Sequence, residues 1–229
     1  MQGTDKVLPD LAGEYAVTPE QAARYQQDGH ILLRGVASPT EAATCRAALA
    51  DAVARYTTET RALADRDTYG KAFLQVMNLW QKDEDIRRFV LARRFGKVAA
   101  DLLGADGVRL FHDQALFKEP GGGPTPWHQD QVYWPLDTDK TVTMWMPLVP
   151  VSEAVGSMTF VTGSHHQESR IVISDESEAY FDRLVAEQGL PRHTYGAPTH
   201  VRSPGAGRRD VPRRLDAPSR AGQSDQRGA

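Results

Sequence analysis

The chain has 229 residues, enough for one large domain and too few for two comfortable ones. Apolar residues make up 40% and charged residues 25%, with a net charge of −3, so there is no basic excess to neutralise a phosphate backbone and nucleic-acid binding is disfavoured. No apolar run approaches the roughly 18 residues of a membrane span, the opening MQGTDKVLPD lacks a charged-then-apolar leader, and the lone Cys45 excludes an internal disulfide and Cys-rich zinc sites. The expectation is a cytoplasmic protein with no nucleic-acid or membrane partner. Oligomeric state is not readable.

Residues 1–196 read as one folded domain, a helical lead-in over 1–106 followed by a β core over 107–196. Thr18 is a candidate N-cap for a helix opened by Pro19, Glu20 and Gln21. His30 to Arg34 is a compact apolar run stopped by Gly35, which predicts a strand. Ser38, then Pro39, opens a longer helix through Tyr56. Two further helices are predicted over Asp83–Leu91 and Arg93–Leu103, the second stopped by Gly104.

From Gly107 the period shortens. Val108 to Lys118 reads as extended chain, broken by the loop Glu119-Pro120-Gly121-Gly122-Gly123-Pro124. Thr141 to Leu148 alternates, with Val142, Met144 and Met146 on one side and Thr143, Trp145 and Pro147 on the other, a strand pattern. A turn over 153–156 and a strand over Ser157–Val161 follow. Short strands after a helical lead-in imply a mainly β fold, a sandwich or barrel with helices outside.

The chemistry concentrates in Trp127-His128-Gln129-Asp130-Gln131-Val132-Tyr133-Trp134. On extended chain, residues i and i+2 point to one side, so an imidazole nitrogen of His128 and a carboxylate oxygen of Asp130 can reach one point. A neutral nitrogen donor beside a hard anionic oxygen suits Fe(II). One more histidine would complete a two-His-one-carboxylate face with open positions opposite. His-x-Asp alone equally describes a surface His beside a solvated Asp.

The wider context carries a resemblance. Leu110-Phe111-His112-Asp113-Gln114, Lys118-Glu119-Pro120-Gly121-Gly122, Trp127-His128-Gln129-Asp130 with Tyr133-Trp134-Pro135, Met144-Trp145-Met146-Pro147-Leu148 and Thr162-Gly163-Ser164-His165 follow one another in order. The stretch from about Thr18 to Ser164 resembles the phytanoyl-CoA dioxygenase (PhyH) family of Fe(II)/2-oxoglutarate oxygenases. The resemblance implies a double-stranded β-helix (a cupin-like jelly-roll) with flanking helices. It implies Fe(II) as metal, with 2-oxoglutarate and O2 as co-substrates in the hydroxylation of a small organic molecule.

By position, His128 and Asp130 match the first two iron ligands. Gln114, Trp145 and, less directly, Gln75 match positions near 2-oxoglutarate. Tyr133 and Trp134 match the substrate-side mouth. Gln114 equally reads as an ordinary strand residue and Trp145 as core packing. His165 and His166 read as loop residues, Lys118 as solvated, and His112 as a strand residue with a satisfied ring.

The family also needs a distal iron-binding His in a pattern like G-D-x-x-F-H-x-G-W-x-x-H-R, and an Arg about eleven residues later for the far carboxylate of 2-oxoglutarate. Neither is present; His193 and His200 are the in-frame alternatives, and neither lies in an apolar run. Residues 197–229 contain no Phe, Tyr, Trp, Ile, Met, Lys or Glu, which describes either a basic disordered tail or an out-of-frame reading. Sliding the codons of residues 206–229 by one base permits PGDATFHAGWTLHRAPANPTSAV, which contains the missing pattern. The expectation is an oxygenase incomplete at its C-terminus and impaired in metal and 2-oxoglutarate binding. A non-catalytic cupin-like binding module and a non-functional gene product are the alternatives.

Overall fold

The computed structural model of the chain describes residues 8–152, 155–167, 171–174 and 176–195. His200 and the displaced reading of the tail lie outside the described residues. The helices form where their caps are. α1 (Pro19–Asp28) opens at Thr18, whose hydroxyl accepts from the Gln21 N–H at 3.2 Å while the Gln21 side chain accepts from the Thr18 N–H at 2.9 Å. Ser38 and Glu41 repeat the arrangement at α2 (Pro39–Tyr56). Such caps contribute about 1 kcal/mol each. Further on come α3 (Thr68–Ala72), α4 (Glu84–Val90), capped by Asp83, and α5 (Arg93–Leu103), which ends at Gly104 in the left-handed region.

Extended structure among the described residues amounts to two antiparallel pairs. β1 (Leu74–Met77) pairs with β2 (Gln114–Phe117), Leu74 opposite Phe117 and Met77 opposite Gln114. β3 (Thr159–Val161) pairs with β4 (Arg192–Thr194), the two separated in sequence by α6 (Ser177–Gln188).

Three apolar clusters hold these parts. Ala48, Ala52 and Val53 of α2 meet Val76, Leu79, Ile86 and Ala115 in the first. Phe95, Val98 and Leu102 of α5 meet Leu11, Val36 and Ala92 in the second. In the third, Val161 and Ile171 meet Phe181 and Val185 of α6, with Trp127 against them. His30, only 8% exposed, links α1 to the β3–β4 pair: its ring nitrogens bond the Tyr195 hydroxyl at 2.7 Å and the Thr162 hydroxyl at 3.0 Å, and its ring stacks on those of Phe160 and His193.

Several expectations are corrected. Against the expected mainly β jelly-roll, incomplete at its C-terminus, the described residues are helix-rich, and their extended structure is two short ladders. β1 falls within the expected helical lead-in and α6 within the expected β core. Thr141–Leu148 forms no strand among the described residues; Thr143, Met144 and Trp145 are exposed, and Met146 alone of the alternating apolar set packs into the second cluster. His30–Arg34 is likewise not a strand: Ile31 and Leu33 pack on the second cluster while Leu32 is 45% exposed. In both stretches a period of two settles which side chains can share a face, but a ladder also needs a partner backbone, which the pattern does not supply.

Candidate metal centre

The approach to His128 is fixed from several directions. Buried Arg66 donates to both carboxylate oxygens of Glu119 and to the carbonyls of Arg61 and Gly70. The Gly123 N–H donates to the Lys71 carbonyl at 3.1 Å, which ties the glycine loop to α3. Lys118, expected in solvent, is instead half-buried, with its ammonium on the Gly123 carbonyl and 4.5 Å from the centre of the Phe73 ring. Trp127 stacks on Phe181 of α6 at 4.7 Å, and its backbone N–H donates to Glu178 Oε1 at 3.2 Å. His128 therefore follows directly on a residue anchored in the third cluster.

The expected convergence is present. Gln129 is extended (φ −117°, ψ 124°), although Asp130 already begins a 3-10 turn that runs to Tyr133. His128 Nε2 lies 3.2 Å from Asp130 Oδ1. His128 Nδ1 donates to the Pro126 carbonyl at 2.9 Å, so Nε2 carries the lone pair of the neutral ring. Two electron-pair donors 3.2 Å apart require a proton or a cation between them. An octahedral metal with bonds of about 2.1 Å puts neighbouring donors about 3 Å apart, so this edge accommodates one. The Nδ1–carbonyl bond is the usual device that orients a metal-binding imidazole.

Without a metal, the surrounding charges favour the proton at this edge. Burial by itself would push His128 down, but the Asp130 hydrogen bond, the Pro126 carbonyl and the Asp130 charge together hold the imidazole above its ordinary value. Asp130 is held below the usual carboxylate range, first by its bond to His128, with burial opposing and the Thr143 hydroxyl assisting. That hydroxyl donates to Asp130 Oδ2 at 3.0 Å.

The other expected site residues are distributed around this pair. The Tyr133 ring meets His128 edge-on at 6.4 Å, and its hydroxyl accepts from the Ile173 N–H at 2.5 Å. Trp134 packs edge-on against Phe111 and His112, each at 6.3 Å. His112 thus has ring partners, but it precedes β2 and is not on a strand. Gln75 and Gln114 share one face of the β1–β2 ribbon, the face opposite Val76 and Ala115; Gln114 is exposed, and Gln75 Oε1 is buried without a partner. Trp145 is 37% exposed, so it is not core. Gln75, Gln114 and Trp145 make no hydrogen bond or ring contact with the pair among the described residues.

Among the described residues no third His, Cys, Asp or Glu joins His128 and Asp130 in a metal-binding group. His193 is on β4, stacked with His30 and Tyr195. His165 and His166 lie exposed in a turn. Sequence reasoning missed Thr143, the Pro126 carbonyl and the Arg66–Glu119 pair. Only Pro126 carried a local signal, two residues before His128.

The fold places the chain beside a non-heme enzyme: it is similar to the crystal structure of SnoK, a non-heme alpha-ketoglutarate-dependent carbocyclase from nogalamycin biosynthesis, with a TM-score of 0.64, 24% identity, and coverage of 81% of this chain and 74% of that one. A probable alpha-ketoglutarate-dependent hypophosphite dioxygenase from Stutzerimonas stutzeri is 37% identical over 60 residues, 26% of this chain and 21% of the relative, so the match spans about a fifth of that relative's length. The sequence model of the phytanoyl-CoA dioxygenase (PhyH) family matches residues 25–195, and the chain belongs to that family. Membership implies Fe(II), with 2-oxoglutarate and O2 as co-substrates. No helix of the described residues is long and apolar enough to cross a membrane.

Proposed function

We propose that the chain is an Fe(II)/2-oxoglutarate-dependent dioxygenase of the PhyH type, acting on a small organic molecule, in which His128 and Asp130 are two of the protein's metal ligands. The observation that carries this reading is the convergence of His128 Nε2 and Asp130 Oδ1 at 3.2 Å with Nδ1 committed to the Pro126 carbonyl. Bound Fe(II) would supply coordination positions for 2-oxoglutarate and O2, and the oxidising power that converts 2-oxoglutarate to succinate and CO2 as oxygen reaches the substrate. Pro126 fixes the tautomer of His128. Thr143 holds the outer oxygen of Asp130, which leaves the inner one toward His128.

Gln114, Trp145 and Gln75 are proposed near 2-oxoglutarate, and Tyr133 with Trp134 at the substrate mouth. The Tyr133 ring beside His128, and the cluster of Phe111, His112 and Trp134 in the same stretch of chain, favour an organic substrate with apolar surface over a small inorganic anion such as the hypophosphite named for the S. stutzeri relative.

The reading includes impairment. Two protein ligands hold a metal less firmly than three, and the described residues supply two. Residues 197–229 are proposed to be an out-of-frame reading of the segment that would carry the distal His and the Arg; sequencing the gene across codons 195–230 checks this directly. Succinate release from 2-oxoglutarate is the functional assay. Slow, Fe(II)-dependent release that disappears in Asp130→Ala is expected. Release unaffected by Asp130→Ala would remove the site assignment, and no Fe(II)-dependent release at all would favour a non-catalytic binding module. Turnover equal to that of a relative with all three ligands would remove the impairment.

A further inference from the structure

Gln129 lies between the two candidate ligands, and its side chain is fastened on the opposite side of the chain. Because its backbone is extended, residues 128 and 130 share one side and residue 129 takes the other. There, Gln129 Oε1 accepts from the Ile171 N–H at 3.2 Å and Nε2 donates to the Ser164 carbonyl at 3.3 Å. Its backbone N–H donates to the Ile171 carbonyl at 2.9 Å. Both ends of the amide are therefore used, and residue 171 is gripped at its N–H and its carbonyl.

These anchor points are themselves tied into the fold. Ile171 is 3% exposed and belongs to the third cluster with Val161, Phe181 and Val185. Ser164 lies three residues beyond Val161 of β3, and the intervening Gly163 N–H donates to the Asp28 carbonyl at the end of α1.

We propose that Gln129 is the positioning residue of the metal centre: its two-ended amide ties the ligand-bearing segment to Ile171 and Ser164, and so fixes the direction in which His128 and Asp130 converge. The inference rests on the reading of those two residues as ligands. Gln129 touches neither metal nor substrate in this assignment and acts through the backbone it shares with its neighbours. With the amide lost, the tie of residue 129 to Ile171 is reduced to its own N–H, and the backbone between the anchored Trp127 and Tyr133 can pivot about it. The spacing of Nε2 and Oδ1 then varies, although the third cluster stays packed.

The test compares Gln129→Met, which fills the same space without a polar end, with the unsubstituted chain and with His128→Ala. Mn(II) is the probe, followed by its electron paramagnetic resonance spectrum, and backbone amide exchange at Ile171 is read on the metal-free chain. The expected result is a folded Gln129→Met protein with unchanged near-ultraviolet circular dichroism. It should bind Mn(II) about tenfold more weakly, the loss typical when an orienting partner of a metal ligand is removed, with a broadened spectrum and faster exchange at Ile171. Mn(II) affinity and spectrum equal to those of the unsubstituted chain would overturn the proposal and leave the ligand assignment standing, provided His128→Ala abolishes binding. Binding that survives His128→Ala would overturn the ligand assignment and this inference together.

Discussion

At His128 the proton decides the chemistry. The Pro126 carbonyl claims Nδ1–H, and this leaves Nε2 to face a carboxylate oxygen. The pairing of His128 and Asp130 was legible in the sequence because it is local: a two-residue spacing on extended chain needs no knowledge of the rest of the fold. Thr143 on Asp130 and Glu119 on Arg66 lie 13 and 53 residues from their partners, and no spacing rule reaches them. The loop before His128 offers a test at the same scale. A Cβ on Gly122 would lie 2.9 Å from the Lys71 carbonyl oxygen and 3.0 Å from that of Glu119, both backbone atoms, whereas one on Gly123 would meet nothing within 4 Å. Gly122→Ala should therefore cost about 1–3 kcal/mol, the usual penalty for forced overpacking, and Gly123→Ala should be close to neutral. Thermal denaturation of the two variants side by side checks this; equal midpoints would mean that the loop is not clamped to α3 as described.

Among the elements, the helices with local start and stop signals were legible, α3 and α6 were not, and of the strands only β2 and β3 fell in stretches read as extended. Thr18-Pro19, Ser38-Pro39, Asp83 and Gly104 are stop and start signals contained within a few residues, and each marks a helix end in the structure. Strand formation depends on a second segment, so Thr141–Leu148 and His30–Arg34 show the pattern without the ladder. The start of α2 does more than cap. Glu41 accepts the Ser38 N–H at 2.7 Å and pairs with Arg94 of α5 at 3.1 Å, with both side chains largely covered. Its carboxyl is held below the usual range, first by the Arg94 hydrogen bond and then by the Ser38 N–H, with burial opposing. A depressed carboxylate stabilises the fold above the unfolded value, and the contribution is lost as pH falls through the folded one. Glu41→Gln should thus lower stability near neutral pH by about 1–2 kcal/mol. Melting curves of the two proteins should converge as pH falls below the ordinary glutamate range. A gap that persists in acid would show that the Arg94 charge pair is not its source.

Over the whole molecule, the family was legible from ordered motifs, while the architecture was legible only in part. The resemblance implied a jelly-roll incomplete at its C-terminus; the described residues form three apolar clusters around helices and two short ladders. Closure of a sandwich is a property of strand partners far apart in sequence, and the motifs around His128 do not specify them. Phe111, Tyr133, Met144 and Trp145 are between 37% and 50% exposed along the stretch that carries the candidate site, so that region presents apolar surface instead of burying it. The fold nevertheless holds His128 and Asp130 together from Trp127 on one side and from Ser164 and Ile171 on the other. The measurement closest to this claim is a Mn(II) titration of the full chain, followed by the free-ion paramagnetic signal, beside His128→Ala and Asp130→Ala. One saturable site that weakens sharply in both variants is the expected result; uptake that both variants retain unchanged would contradict it.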